Sequence, residues 1–309
     1  MKLVSAIHHA CLRVSSLESA FARWSHLLGL HGEIRDGEAV LRCAHEDYCL
    51  RLVPSHLKAG TEYVAYELAP GLTLVDAERE LEARGLTVQT VPVGPRGVGL
   101  RLNDPDGNGV VLLERVRPTD TRVPEWQYSS QIPAFHPRKF GHCNYLTSDV
   151  KRITAWYIEK LGFRLTDRIG SEGVWLHVNA DHHVVAFLEK GYNHIHHLAF
   201  ELNDWSAFRV ALDHLGKNRR HIVWGPGRHG MARNLYSYFR MPEEDLFVEL
   251  CGDLEQLPED HTPRDYPDDA HASNVWGILP PRSYFRFDQE AIDLENSQFE
   301  AYHGAAVTT

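Results

Sequence analysis

The sequence predicts an α+β fold of four βαβββ modules forming two barrel-like domains, and three observations carry that expectation. The chain matches itself in two halves; each half divides again into two units; and each unit opens on a short strand, runs through an amphipathic helix and ends in three strands. IHHACLRVSSLESAFARWSHLLGL from Ile7 aligns with FGHCNYLTSDVKRITAWYIEKLGF from Phe140, so that His9 falls on His142 and Gly29 on Gly162. YVAYELAPGLTLVDAERELEARGL aligns with HLAFELNDWSAFRVALDHLGK, placing Tyr63 on His197. NDPDGNGVVLLE aligns with RMPEEDLFVEL, placing Pro105 on Pro242 and Leu112 on Glu249.

The elements follow in order. In 16–28, Leu17, Ala20, Phe21, Trp24, Leu27 and Leu28 recur at helical spacing, as do Val150, Ile153, Trp156, Tyr157 and Leu161 in 149–161. Gly29 and Gly162 stand just past these helices, where a left-handed residue ends a helix. His142–Leu146 and His196–Glu201 read as opening strands; GVWLHVN, VVAFLE, NLYSYFR and LFVEL read as later ones. PDGNG at 105–109 is a hairpin turn. The expected organisation is a non-catalytic domain at 1–118, a metal-binding catalytic domain at 135–255, and a tail at 256–309 partly covering the site. A proline-bearing linker runs from Pro118 to Pro137.

Composition narrows the function. The 309 residues are 43% hydrophobic and 24% charged, enough to bury a sizeable core. A formal net charge of -10 argues against nonspecific attraction to nucleic acid or anionic membrane. There is no run of eighteen apolar residues, and the apolar stretch near the start is cut off by His8 and His9, too short for a signal peptide. Cys11, Cys43, Cys49, Cys143 and Cys251 form no CxxC pair and read as reduced thiols, so a cytoplasmic protein is expected.

The unusual count is 20 histidines. At three matched positions the second half carries His142, His197 and Glu249 where the first half carries His9, Tyr63 and Leu112. Strand alternation puts His197, Ala199 and Glu201 on one face, and Phe247 with Glu249 on one face. If the strands curl into one barrel, two imidazoles and one carboxylate can meet at a divalent metal with open positions, the arrangement suited to non-haem Fe(II). Mn(II) accepts the same donors, and Zn(II) would give no redox chemistry. Around them stand His183 in ADHHVVAF, His229 in the turn GPGRHG, and Tyr238 with Tyr236 in NLYSYF. A histidine can move a proton near neutral pH and a tyrosine can hydrogen-bond a developing oxyanion.

As a set these residues resemble the type I extradiol, ring-cleaving catechol dioxygenases of the vicinal oxygen chelate superfamily, nearest to the homoprotocatechuate 2,3-dioxygenase group. The resemblance spans residues 1 to about 285. It implies metal ligands at His142 in GHCN, at His197 in HHLAF and at Glu249 in LFVEL. It also implies catalytic roles for Asn144, His183, His229 and Tyr238, and a substrate wall including Trp175, eight residues before His183. It further implies Fe(II), with Mn(II) as the other candidate, dioxygen as co-substrate, a small catecholic substrate, and a homo-oligomer, tetramer or dimer. Two departures bear on the substrate. Trp224 stands five residues before His229, where that group carries a carboxylate-binding Arg, and NVWG at 274–277 replaces its Arg-rich tail segment. With Trp224 and Tyr236 nearby, a substituted ring without a clear carboxylate is expected. The alternatives are a metal-dependent isomerase or lyase of the glyoxalase type, or a small-molecule binding protein with a vestigial site.

Overall fold

The computed structural model describes residues 2–44, 47–115 and 135–306, with side chains as far as residue 300. The linker expected from Pro118 lies, up to residue 134, outside the described residues. The first half runs β1 (Val4–Val14), α1 (Leu17–Leu28), β2 (His31–Arg35), β3 (Glu38–Arg42), β4 (Leu50–Pro54), then β5 (Gly60–Leu68), α2 (Leu74–Ala83), β6 (Gln89–Pro92), β7 (Val98–Asn103) and β8 (Gly109–Leu113). The second half repeats the order: β9 (Lys139–Thr147), α3 (Val150–Trp156), β10 (Arg164–Ile169), β11 (Gly173–His177), β12 (Val185–Glu189), then β13 (His194–Glu201), α4 (Trp205–Lys217), β14 (Trp224–Arg228), β15 (Leu235–Met241) and β16 (Leu246–Gly252). The tail adds β17 (Arg264–Tyr266), α5 (Ala270–Ser273) and α6 (Gln289–Ala306). Four βαβββ modules are present.

Helix ends follow local chemistry. Ser16 caps α1 through the Ser19 amide, and Gly29 closes it at φ 63°. Asp149 caps α3, which widens into one π turn over Tyr157–Leu161 before Gly162 ends it at φ 81°. The 105–109 segment joins antiparallel β7 and β8, as a hairpin turn should.

The strands form two curved, open sheets, ordered β2-β3-β4-β1-β5-β8-β7-β6 and β14-β15-β16-β13-β9-β12-β11-β10-β17. Their outer faces and helices share one apolar core, which includes Trp24, Tyr66, Phe163, Phe200 and Phe208. The concave faces differ. The first is filled by Cys11, Tyr63, Ala65, Val93, Val111 and Leu113. The second carries Trp224, Tyr236, Tyr238 and Phe247, packed with Tyr284 of the tail, and opens on a cavity lined by Trp224, Tyr238 and Tyr284 among others.

The register corrects one pairing read from the sequence. β5 sets Ala65 opposite Val111, and β13 sets Ala199 opposite Glu249. The counterpart of Glu249 is therefore Val111. Leu112 pairs with Tyr66 and points into the shared helix-side core. The sequence alignment was one residue out, and in a strand one residue changes the face. The other matches hold, since His9 faces Ala65 as His142 faces Ala199, and Tyr63 faces Cys11 as His197 faces Asn144.

Candidate metal centre

The second sheet builds the site from two cross-strand rows. One runs Trp224–Tyr238–Glu249–Ala199–His142 across β14, β15, β16, β13 and β9. The next runs Arg240–Phe247–His197–Asn144. Ala199 carries only a Cβ between Glu249 and His142, so the curl of the sheet brings the two longer side chains together over it. Glu249 Oε2 lies 2.9 Å from His142 Nε2 and 3.1 Å from His197 Nε2. All three residues are buried, and each offers one ligand atom within 4.8 Å of the others.

This donor set fits a divalent metal. Ligand atoms about 2.1 Å from an ion and at right angles lie roughly 3.0 Å apart, close to the two spacings seen. Two imidazoles and one carboxylate suit Fe(II) or Mn(II) and leave coordination positions free. Burial pushes the Glu249 carboxyl up, but the adjacent His142 and His197 outweigh it and hold the group well below the usual carboxylate range, hence ionised. Burial lowers His197 against the opposing pull of Glu249, and it is the neutral imidazole that has a lone pair to give a metal.

The surrounding hydrogen bonds set the ligand orientations. His196 Nε2–H donates to the Tyr284 carbonyl at 2.8 Å, leaving its Nδ1 to accept from His197 Nδ1–H at 2.8 Å. His197 Nε2 is thereby left with its lone pair toward the centre. Asn234 Nδ2 donates to Glu249 Oε1 at 3.1 Å. The sequence reading named neither Tyr284 nor Asn234. Asn234 was reachable by alternation, two residues before Tyr236 on the same face; Tyr284 arrives on a short turn of the tail with no periodic signal.

The other expected residues take these places. Asn144 lines the cavity with its Oδ1 buried and without a partner. His183 lines it too, its ring centroid 4.1 Å from that of His142. Burial, then the neighbouring His142, keeps His183 well below the usual histidine range. His229 Nδ1–H donates to the Ser273 carbonyl at 2.7 Å, so its Nε2 accepts from the Tyr238 hydroxyl at 3.1 Å. Burial lowers His229 to about 4. The Trp224 ring stacks on Tyr238 at 5.5 Å, and its indole N–H donates to the Ile278 carbonyl at 2.9 Å. Trp175 lines the far wall. Tyr236 is not among the lining residues: it lies behind His229, stacked on it at 4.0 Å. The tail contributes Asp268, Ala272, Ser273, Pro280, Tyr284 and Phe285 to the rim. The cavity measures about 190 Å³. A void on the order of 150 Å³ takes a benzene ring, so this one suits a single substituted ring.

The first half carries the same scaffold without the centre. Cys49 N bonds to Leu41 O as Val184 N bonds to Leu176 O, which makes Tyr48 the counterpart of His183. His9 is kept, but its Nε2 meets the Tyr63 hydroxyl at 3.2 Å. The buried Arg51 guanidinium donates to that hydroxyl at 2.9 Å and pairs with Glu38. A tethered cation fills the space that the second half leaves open.

Comparison with known proteins agrees with this geometry. Residues 139–244 match the family described as Glyoxalase/Bleomycin resistance protein/Dioxygenase superfamily. Metapyrocatechase of Pseudomonas sp. (strain CF600) is 28% identical over 277 residues, covering 82% of this chain and 88% of that protein. In fold, the chain is similar to the Mn(II)-bound glyoxalase from Novosphingobium aromaticivorans, with TM-score 0.80, 21% identity, and 92% and 94% of the two chains covered. It is equally similar to homoprotocatechuate 2,3-dioxygenase from Brevibacterium fuscum in complex with 3,4-dihydroxyphenylacetate, with TM-score 0.80, 23% identity and 91% of each chain covered. In module order and in these matches the chain is similar to glyoxalase and extradiol dioxygenase proteins, and residues 139–244, which hold His142 and His197, carry the family match.

Proposed function

We propose that the protein is an extradiol ring-cleaving dioxygenase that inserts both atoms of O2 into a catechol to give a ring-opened, semialdehyde-type product. The observation that carries this reading is the convergence of His142, His197 and Glu249 on one point in a cavity sized for a single ring. An Fe(II) or Mn(II) ion held there would supply adjacent open positions at which a catecholate and dioxygen meet. His183 faces that space from beside His142 and is the group to take and return a proton. Tyr238, whose hydroxyl donates to His229, is placed to accept a hydrogen bond from a substrate hydroxyl. Trp224, Tyr284 and the tail narrow the way in for water.

The substrate reading follows from the wall. Among the lining residues the only Lys or Arg is Lys190, which is tied to Glu172 at 2.8 Å toward the mouth. A carboxylate beside Trp224 would be desolvated without a partner, so a neutral ring substituent is favoured. We assign catalysis to 135–255, a supporting role to 1–118 and cover of the site to 256–309, in a dimer or tetramer. The test is anaerobic Fe(II) loading followed by oxygen and a panel of catechols. Oxygen uptake with a yellow product is expected, faster for neutral than for carboxylated rings. No uptake with any catechol refutes the activity.

A further inference from the structure

Behind His183 runs a chain of groups that the proposed reaction does not use. Asp167, on β10, is wholly buried. Its Oδ1 accepts from the Arg264 backbone N–H at 3.1 Å and from Arg264 Nε at 3.0 Å. Its Oδ2 accepts from Arg264 Nη2 at 2.8 Å and from His182 Nε2 at 2.8 Å. His182, also wholly buried, sets its Nδ1 3.1 Å from His183 Nδ1. Arg264 reaches Asp167 from β17 in the tail and also pairs with Glu255.

Donor and acceptor counting fixes the protons along this chain. An ionised carboxylate only accepts, so His182 carries its proton on Nε2. A neutral imidazole with Nε2–H has its lone pair on Nδ1, which accepts from His183 Nδ1–H. A neutral His183 then has its lone pair on Nε2. Burial raises the Asp167 carboxyl, but His182 and Arg264 outweigh it and keep the group ionised.

We infer that Asp167 and His182 are positioning residues that hold His183 in its Nδ1–H tautomer, so that Nε2 is presented to a bound ligand as a proton acceptor. The inference rests on His183 being the proton-transfer group of the proposed dioxygenase, while the tautomer itself can be read without turnover. Asp167→Asn reverses the chain. Two Arg264 donors meet the Oδ1 position and one meets Oδ2, so the amide oxygen is favoured at Oδ1 and the amide NH2 turns toward His182. His182 must then accept at Nε2 and donate from Nδ1, and His183 must accept at Nδ1 and carry its proton on Nε2.

The experiment is two-bond 1H–15N correlation of histidine-labelled protein carrying Zn(II) as a diamagnetic ion. His183 is expected to show Nδ1–H in the wild type and Nε2–H in Asp167→Asn. A kinetic arm uses the Fe(II)-loaded enzyme. His182→Leu and His182→Asn both cut the link to Asp167, but only Asn offers an oxygen to His183 Nδ1–H. His182→Leu should lower kcat on the order of 10²-fold, with KM and bound iron near wild type, and His182→Asn should recover about tenfold. Wild-type His183 carrying Nε2–H, an unchanged tautomer in Asp167→Asn, or equal kcat in the two His182 variants would overturn the inference. A wild-type Nδ1–H signal in a protein that cleaves no catechol would instead sink the proposed function and leave the tautomer assignment standing.

Discussion

Replacing His196 by Phe removes two hydrogen bonds while leaving a ring of similar size in place. The imidazole is fully buried among aromatic rings, with Phe247 stacked at 5.2 Å and Tyr284 edge-on at 4.5 Å, so a phenyl ring fits the same space. What is lost is the acceptor for His197 Nδ1–H and the donor to the Tyr284 carbonyl, each at 2.8 Å. His197 can then rotate or take the opposite tautomer, which puts a proton on the nitrogen that should face the metal. Losing a group that orients a metal ligand typically costs 10–100-fold in affinity, or about 1.4–2.7 kcal/mol. Leaving a buried donor unsatisfied costs about 1–3 kcal/mol, partly in folding stability. Metal affinity measured by competition with a chromophoric chelator should weaken by one to two decades, with the near-UV circular dichroism unchanged. A folded His196→Phe protein whose affinity stays within about threefold of wild type would refute the orienting argument.

Ala199→Leu should abolish stoichiometric metal binding, because the added carbons enter the gap between Glu249 and His142; overpacking should cost a further 1–3 kcal/mol or so, and metal content after dialysis checks it. Glu295→Ala should destabilise by about 3–5 kcal/mol in denaturant unfolding and expose the tail to protease, since it strands the buried Arg240 that Glu295 grips at 2.7 and 2.8 Å. Stability should also fall with acid. Burial, with Arg96, lowers His8 to about 3, and burial, with Arg164 and others, lowers His177 to about 4. Between these values and the ordinary histidine range, the unfolded chain binds more protons. This contribution is therefore fully present above about pH 6.5 and is lost as pH falls, at roughly 1.4 kcal/mol per unit for each histidine. Urea midpoints that stay level from about pH 7 to pH 4.5 would contradict it.

The module plan was legible because its signals are local. Helical spacing around Trp24 and Ile153, stop glycines at 29 and 162, and alternation in HLAFEL each involve a few adjacent residues. The duplicated halves then exposed His197 and Glu249 as departures from a shared pattern. The error at Leu112 came from aligning across turns of different length, where only hydrogen-bonded register decides the face. Asp167, Asn234 and Tyr284 escaped notice because their importance comes from partners 15 to 97 positions away along the chain. Tyr236 was misplaced for the opposite reason: alternation gave its face correctly but not its depth, and His229 lies over it.

Arg51 gives the two halves different dependencies on their surroundings. The first half carries its own positive charge, joined to the backbone, against Tyr63 and Glu38. In the second half the Glu249 carboxylate meets only Asn234 and the two imidazoles, and among the described residues no Lys or Arg pairs with it. An ion bound there would therefore add stability to the second half alone and leave the first half's unchanged.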